Sequence, residues 1–118
     1  MKYLFLEYPK CTTCQKARRW LEDHQVDFAG RHIVENNPTA AELKEWHLRS
    51  GLPLSKFINT SGLLYKSLQL KNKLPAMNDD EIYDLLATNG MLVKRPLLIG
   101  TDLVLTGFKA DSWQQALS

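Results

Sequence analysis

Tyr3-Leu4-Phe5-Leu6-Glu7-Tyr8-Pro9-Lys10-Cys11-Thr12-Thr13-Cys14-Gln15-Lys16-Ala17 is the stretch on which the reading of this chain turns. Tyr3 to Leu6 are large and apolar and predict a short buried strand. Pro9 and the polar Lys10-Cys11-Thr12-Thr13 break it. From Cys14 onward apolar residues recur at Ala17, Trp20 and Leu21, while Lys16, Arg18, Arg19, Glu22 and Asp23 fall between them. That is helical spacing, and it ends near His24. Cys11 therefore stands just before a helix and Cys14 one turn inside it.

Outward from this unit, Val26 to Val34 alternates weakly and predicts a second strand. Asn36-Asn37-Pro38 breaks the chain, and Thr39 with Glu42 three residues on has the form of a capping box. The helix that follows carries Leu43, Trp46 and His47 on one face and stops around Gly51. Phe57 to Gly62 reads as a turn between short helices, and Leu63 to Leu68 as another helical piece. Asn78 with Glu81 repeats the capping pattern, Asp79 to Glu81 suit a first turn, and Ile82, Leu85 and Leu86 form the apolar face. Asn89-Gly90 reads as the C-terminal stop of that helix. Leu97-Leu98-Ile99, the Gly100-Thr101-Asp102 turn and Leu103 to Thr106 predict a hairpin. Asp111 and Gln114 suit a last short helix, from which Trp113 covers the core. The order predicts an α/β fold with a mixed sheet, in one domain over residues 1–118 with a helical insert at about 37–90.

With 118 residues, 44% of them hydrophobic and 24% charged, the chain is long enough for a real core and does not read as disordered. A formal charge of +2 is too small to argue for nucleic-acid or membrane binding. Lys10, Lys16, Arg18 and Arg19, with no acid from Lys10 to Trp20, predict a positive potential around the cysteines. The first apolar run stops at Glu7, too short for a signal-peptide core or a membrane span. A cytoplasmic protein is expected, in which disulfides are transient and catalytic or redox-sensing.

The chemistry follows from position. Unpaired N–H groups and partial positive charge at a helix start stabilise a thiolate, and such settings lower a cysteine pKa from about 8.5 to anywhere between roughly 3.5 and 7.5. Cys11 is the expected nucleophile. Cys14, on the apolar face, is placed to resolve a mixed disulfide on Cys11. Half of a zinc site is the metal alternative, but zinc takes four ligands, and His24, His32 and His47 form no close-spaced pair. No metal and no tightly bound cofactor is expected. Two inert packed thiols are the plain alternative. Arg95-Pro96 reads either as a strand-starting proline beside a solvated arginine or as a cis X–Pro bond in a specific turn.

Three motifs, Tyr8 to Ala17, Phe57-Ile58-Asn59-Thr60-Ser61-Gly62 and Lys94-Arg95-Pro96-Leu97-Leu98-Ile99, resemble the arsenate reductase-like family that includes the Spx regulators, in the same order and over essentially the whole chain. The resemblance implies a thioredoxin-like (glutaredoxin-like) core with an inserted helical subdomain. It implies that Pro96 is a cis-proline facing the active-site loop, and that Arg95 lies beside Cys11 to stabilise its thiolate or hold an anionic group. It also implies a thiol–disulfide oxidoreductase working through a Cys11–Cys14 disulfide, with glutathione, thioredoxin or glutaredoxin as electron donor. The alternative it offers is an Spx-type redox switch that binds the RNA polymerase α subunit. Arsenate reduction proper is expected to need three oxyanion-binding arginines. Arg95 matches one, while Phe57 to Leu64 and Leu103 to Phe108, where the others are expected, contain none.

Overall fold

The apolar run at the N-terminus becomes the centre of a sheet. The computed structural model describes residues 2–117. In it β1 (Tyr3–Glu7) is flanked by β2 (Phe28–His32), parallel, and by β3 (Leu97–Ile99), antiparallel; β4 (Val104–Thr106) closes the order β2-β1-β3-β4. A central strand is covered on both faces, which is why β1 reads as continuous apolar sequence rather than as an alternation.

The sheet sorts its side chains by the two-residue period of strands. Phe5, Leu98 and Leu105 share one face and pack with Ala17 and Leu21 of α1 (Thr12–Asp23) and with Trp113 of α6 (Ala110–Leu117). Trp113 is 1% exposed, and its indole N–H donates to the Gly107 carbonyl at 3.2 Å, tying α6 to the end of the hairpin. Leu6, Leu97, Ile99 and Val104 face the other way. There they meet the helical segment between β2 and β3: α2 (Ala40–Ser50), α3 (Leu63–Ser67), α4 (Leu70–Lys73) and α5 (Asp79–Leu86), with short 3-10 turns at Leu54–Phe57, Leu74–Ala76 and Gly90–Leu92. The result is a mixed α/β fold of the thioredoxin-like class. Among the described residues no helix is long and apolar enough to cross a membrane.

Both capping boxes form. Thr39 Oγ1 accepts from Glu42 N at 3.1 Å while Glu42 accepts from Thr39 N at 3.0 Å, and Asn78 and Glu81 exchange the same pair of bonds at 2.9 Å. Glu42 also takes two guanidinium bonds from Arg31, at 2.8 and 2.9 Å. Together these hold its carboxyl down to about 2, the Arg31 bonds first among the causes.

Three local readings are corrected. The second strand is shorter than Val26–Val34, because Val26 N is used to close α1 on Leu21 O and His32 Nδ1 turns the chain by accepting from Val34 N and Glu35 N. Asn89-Gly90 does not stop α5, which ends at Leu86 with Ala87 as its C-cap; Asn89 caps the next 3-10 turn. Gly90 is needed for close approach, since a Cβ there would collide with the Ile33 carbonyl. Phe57–Gly62 is more than a turn: Ile58 forms an antiparallel bridge with Val93, secured by Asn59 N to Leu92 O and Lys94 N to Phe57 O, both 2.8 Å. The last helix forms where Asp111 and Gln114 placed it, with Asp111 in its first turn.

Gly90→Ala is expected to cost about 2–4 kcal/mol, read as a lower urea midpoint. An unchanged midpoint would contradict the backbone packing of Gly90 on Ile33.

Candidate functional site

The loop after β1 is built to present one sulfur. Cys11 N donates to Tyr8 O at 2.9 Å, and Gln15 Nε2 reaches back to Pro9 O at 2.8 Å, so both sides of the loop are tied. Cys11 has extended backbone (φ −82°, ψ 119°) and occupies the N-cap of α1. There an oxygen of Ser, Thr, Asp or Asn ordinarily accepts a first-turn N–H. Here the acceptor is Cys11 Sγ, 3.4 Å from Cys14 N. A sulfur accepts well only as an anion, so the cap itself favours the thiolate.

The second stabilising group comes from the far end of the chain. The Arg95–Pro96 peptide is cis. The Arg95 guanidinium lies over the Tyr8 ring, 5.2 Å from its centroid. Partial burial pushes the Cys11 thiol up, but the Cys14 N–H and the Arg95 charge beside it outweigh that, and the net shift is downward. Arg95 Nε and Nη1 are buried and have no hydrogen-bond partner among the described residues. An unpaired buried donor is costly, so this guanidinium has spare capacity for an anionic group next to the thiol.

Cys14 is the opposite case. It is fully buried on the inner face of α1. Burial above all pushes its thiol up to about 12, the Cys11 sulfur adds to this, and the Tyr8 N–H and Arg95 act against it. The pair thus combines one activated sulfur with one held protonated. Both are free thiols: the Cys11–Cys14 disulfide expected of a redox pair is not formed, and the sulfurs are not at bonding distance, because Cys11 is turned to cap the helix while Cys14 is sealed beneath it.

A groove of about 1020 Å³ opens beside Cys11. Its walls are the bridged segment from Ile58 to Ser61, and β4 with the residues after it. Among the described residues Lys56, Lys94, Arg95 and Lys109 line it and no carboxylate does. One of the four residues expected to give the positive potential is paired off. Arg18 is withdrawn into a pair with Glu7, which is 8% exposed, and lies 5.3 Å from the Phe28 centroid; the cations at the groove come from distant segments instead. Tyr8 has a role the residue reading missed, since its ring, carbonyl and N–H serve Arg95, Cys11 and Cys14 respectively. Its place two residues before Lys10 in the break after the strand was the available signal. Among the described residues no group of three His, Cys, Asp or Glu side chains is gathered to hold a metal ion.

Sheet order, the Cys-X-X-Cys pair at the first helix and the cis-proline opposite define a thioredoxin-fold protein with a thiol site. Residues 6–116 match the ArsC family, and the chain belongs to that family. It is 48% identical to the uncharacterized protein YusI of Bacillus subtilis over 98% of both chains. It is 30% identical to the global transcriptional regulator Spx of Streptococcus pyogenes, over 100% of this chain and 86% of the regulator. Among solved structures, an ArsC family related protein from Bacteroides fragilis superposes with a TM-score of 0.93 at 54% identity, covering 98% of this chain and 97% of that one.

Replacing Arg95 by Gln is expected to raise the Cys11 pKa toward its ordinary value, measured from ultraviolet thiolate absorbance against pH. A titration that does not move would show that Arg95 has no electrostatic hold on the sulfur.

Proposed function

We propose that the protein is a thiol–disulfide oxidoreductase with Cys11 as nucleophile, Cys14 as resolving thiol and Arg95 as the electrostatic partner. The observation that carries this reading is Cys11 Sγ at the N-cap of α1, facing an open groove beside Arg95. In the first step the Cys11 thiolate attacks one sulfur of a substrate disulfide. The Cys11–substrate bond forms, the substrate S–S bond breaks, and the second sulfur leaves as a thiolate that takes a proton from water. In the second step Cys14 loses its proton and attacks Cys11 Sγ, releasing the substrate thiol and forming the Cys11–Cys14 disulfide. The substrate gains two electrons and the dithiol loses two; an external thiol, glutathione or the dithiol of thioredoxin or glutaredoxin, restores the reduced pair. Once Cys11 is in a mixed disulfide its negative charge is gone, and one cause of the high Cys14 pKa goes with it. Activation of the resolving thiol is thereby timed after the first step. A reducing cytoplasm suits such a cycle.

A second reading draws on the identity to Spx along the whole chain. In it, oxidation of the same pair switches binding to the RNA polymerase α subunit, because a low-pKa accessible thiol beside a resolving cysteine serves a sensor as well as a catalyst. Arsenate reduction receives less support. Arg95 is the only arginine lining the groove among the described residues, and the segments Phe57 to Leu64 and Leu103 to Phe108, where the resemblance expects two more, contain none.

Turnover in a glutathione- or thioredoxin-linked disulfide assay is expected to be abolished in Cys11→Ser, while Cys14→Ser accumulates a mixed disulfide on Cys11 detectable by mass. Full activity in Cys11→Ser would overturn the oxidoreductase reading. Inactivity of the wild type together with oxidation-dependent capture of RNA polymerase α would establish the switch in its place.

A further inference from the structure

We propose that the disulfide substrate is carried on an extended, acidic polypeptide segment that pairs with the free edge of β4 and so brings its cysteine to Cys11. This rests on the oxidoreductase reading and adds to it the class of substrate.

The edge is defined by the hydrogen-bond ladder. β4 is the outermost strand, with β3 as its one neighbour in the sheet. Gly107 N donates to Pro96 O at 2.8 Å and Gly100 N to Leu103 O. These bonds bracket the pairs Leu97–Thr106 and Ile99–Val104, so both are the wide pairs of an antiparallel ladder, whose members point their own N–H and C=O away from each other. The backbone groups of Val104 and Thr106 therefore point out of the sheet. They have no hydrogen-bond partner among the described residues. Edge strands are usually blunted by charge or proline, yet Leu103-Val104-Leu105-Thr106 carries neither; Val104 is buried, and Leu103, Leu105 and Thr106 are partly exposed.

That edge leads to the thiol. Residues 103–109 form one wall of the groove that holds Cys11. The Gly107 bond to Pro96 sets the end of β4 against the cis-proline, whose neighbour Arg95 stands beside Cys11. A strand added to β4 takes its register from main-chain bonds and runs past Thr106 toward Arg95. The charges select its composition: among the described residues Lys56, Lys94, Arg95 and Lys109 line the groove and no acid does, so acidic residues flanking the cysteine are complemented and basic ones are repelled. At about 1020 Å³ the space is just above the roughly 300–1,000 Å³ typical of small-ligand sites, which leaves room for a stretch of polypeptide. The chemistry is the exchange written above: the attacked sulfur of the peptide disulfide bonds to Cys11 Sγ, and its partner sulfur leaves as a thiolate and is protonated.

The test compares kcat/KM for three disulfides: an extended peptide with glutamates flanking its cystine, the same peptide with lysines, and oxidised glutathione. The acidic peptide is expected to be preferred over the basic one by roughly tenfold, on the scale of a few complementary charges. Thr106→Pro removes an outward N–H while leaving the ladder bonds to β3 in place. It is expected to lower the ratio of acidic-peptide to glutathione turnover by roughly five- to tenfold; a ratio within one variant is independent of how much of it folds. Lys109→Glu is expected to narrow or invert the preference for acidic over basic peptide. Equal turnover of both peptides, or an unchanged ratio in Thr106→Pro, overturns the docking edge and leaves the exchange chemistry standing. Faster turnover of oxidised glutathione than of either peptide identifies a small thiol as the substrate and overturns it too. Failure to turn over any of the three overturns the oxidoreductase reading itself, and this proposal with it.

Discussion

The bond from Cys14 N–H to Cys11 Sγ joins the fold to the chemistry of this protein. A helix start has N–H groups that its own backbone does not satisfy, and most helices meet that need with a side-chain oxygen. Here the need is met by a sulfur, which must be ionised to meet it well. Helix formation and thiolate formation thus support one another, and the same amide that orients α1 orients the Cys11 sulfur. Because Cys11 is the cap and Cys14 supplies the N–H, the three-residue spacing is a consequence of helix geometry. A closer or more distant cysteine would lose either the cap or the buried place on the inner face.

The rest of the molecule keeps that helix start in place. β1 is central, so the loop leaving it is anchored on both sides by β2 and β3, and the turn before Cys11 inherits that rigidity. Phe5, Leu21 and Trp113 hold α1 down on one face of the sheet. The helices between β2 and β3 cover the other face and also build the site. Through the Ile58–Val93 bridge they lay residues 57–61 beside Lys94 and Arg95, and so wall the groove opposite β4. Packing on one side of the sheet positions the thiol, and packing on the other shapes what reaches it.

What was legible in the sequence follows this division. Signals confined to a few neighbouring residues came through: the apolar run of β1, the capping residues Thr39 and Glu42, Asn78 and Glu81, and the Leu97–Thr106 hairpin each depend on local propensity or spacing. Features set by partners far along the chain did not. Arg18 reads as part of a basic patch until Glu7, from the preceding strand, claims it. Gly90 reads as a helix stop because its real reason, the Ile33 carbonyl, is 57 positions away in the chain (90 − 33). Residues 57–62 read as a turn because a single bridge to Val93 leaves no periodicity. At the site, the thiol pair was readable from spacing, whereas the nearness of Arg95 came from resemblance to a family rather than from any local pattern. Tyr8, which touches all three, gives no signal of its own beyond its place in the motif.

The central claim is that the Cys11 sulfur is held as an anion by the amide of Cys14. The most direct measurement is the chemical shift of the Cys14 amide proton followed by NMR across the titration of Cys11. A proton donated to the sulfur senses its charge at first hand, so a large shift with the same midpoint as the Cys11 thiol is the predicted result. A Cys14 amide that stays constant while Cys11 titrates would contradict the account.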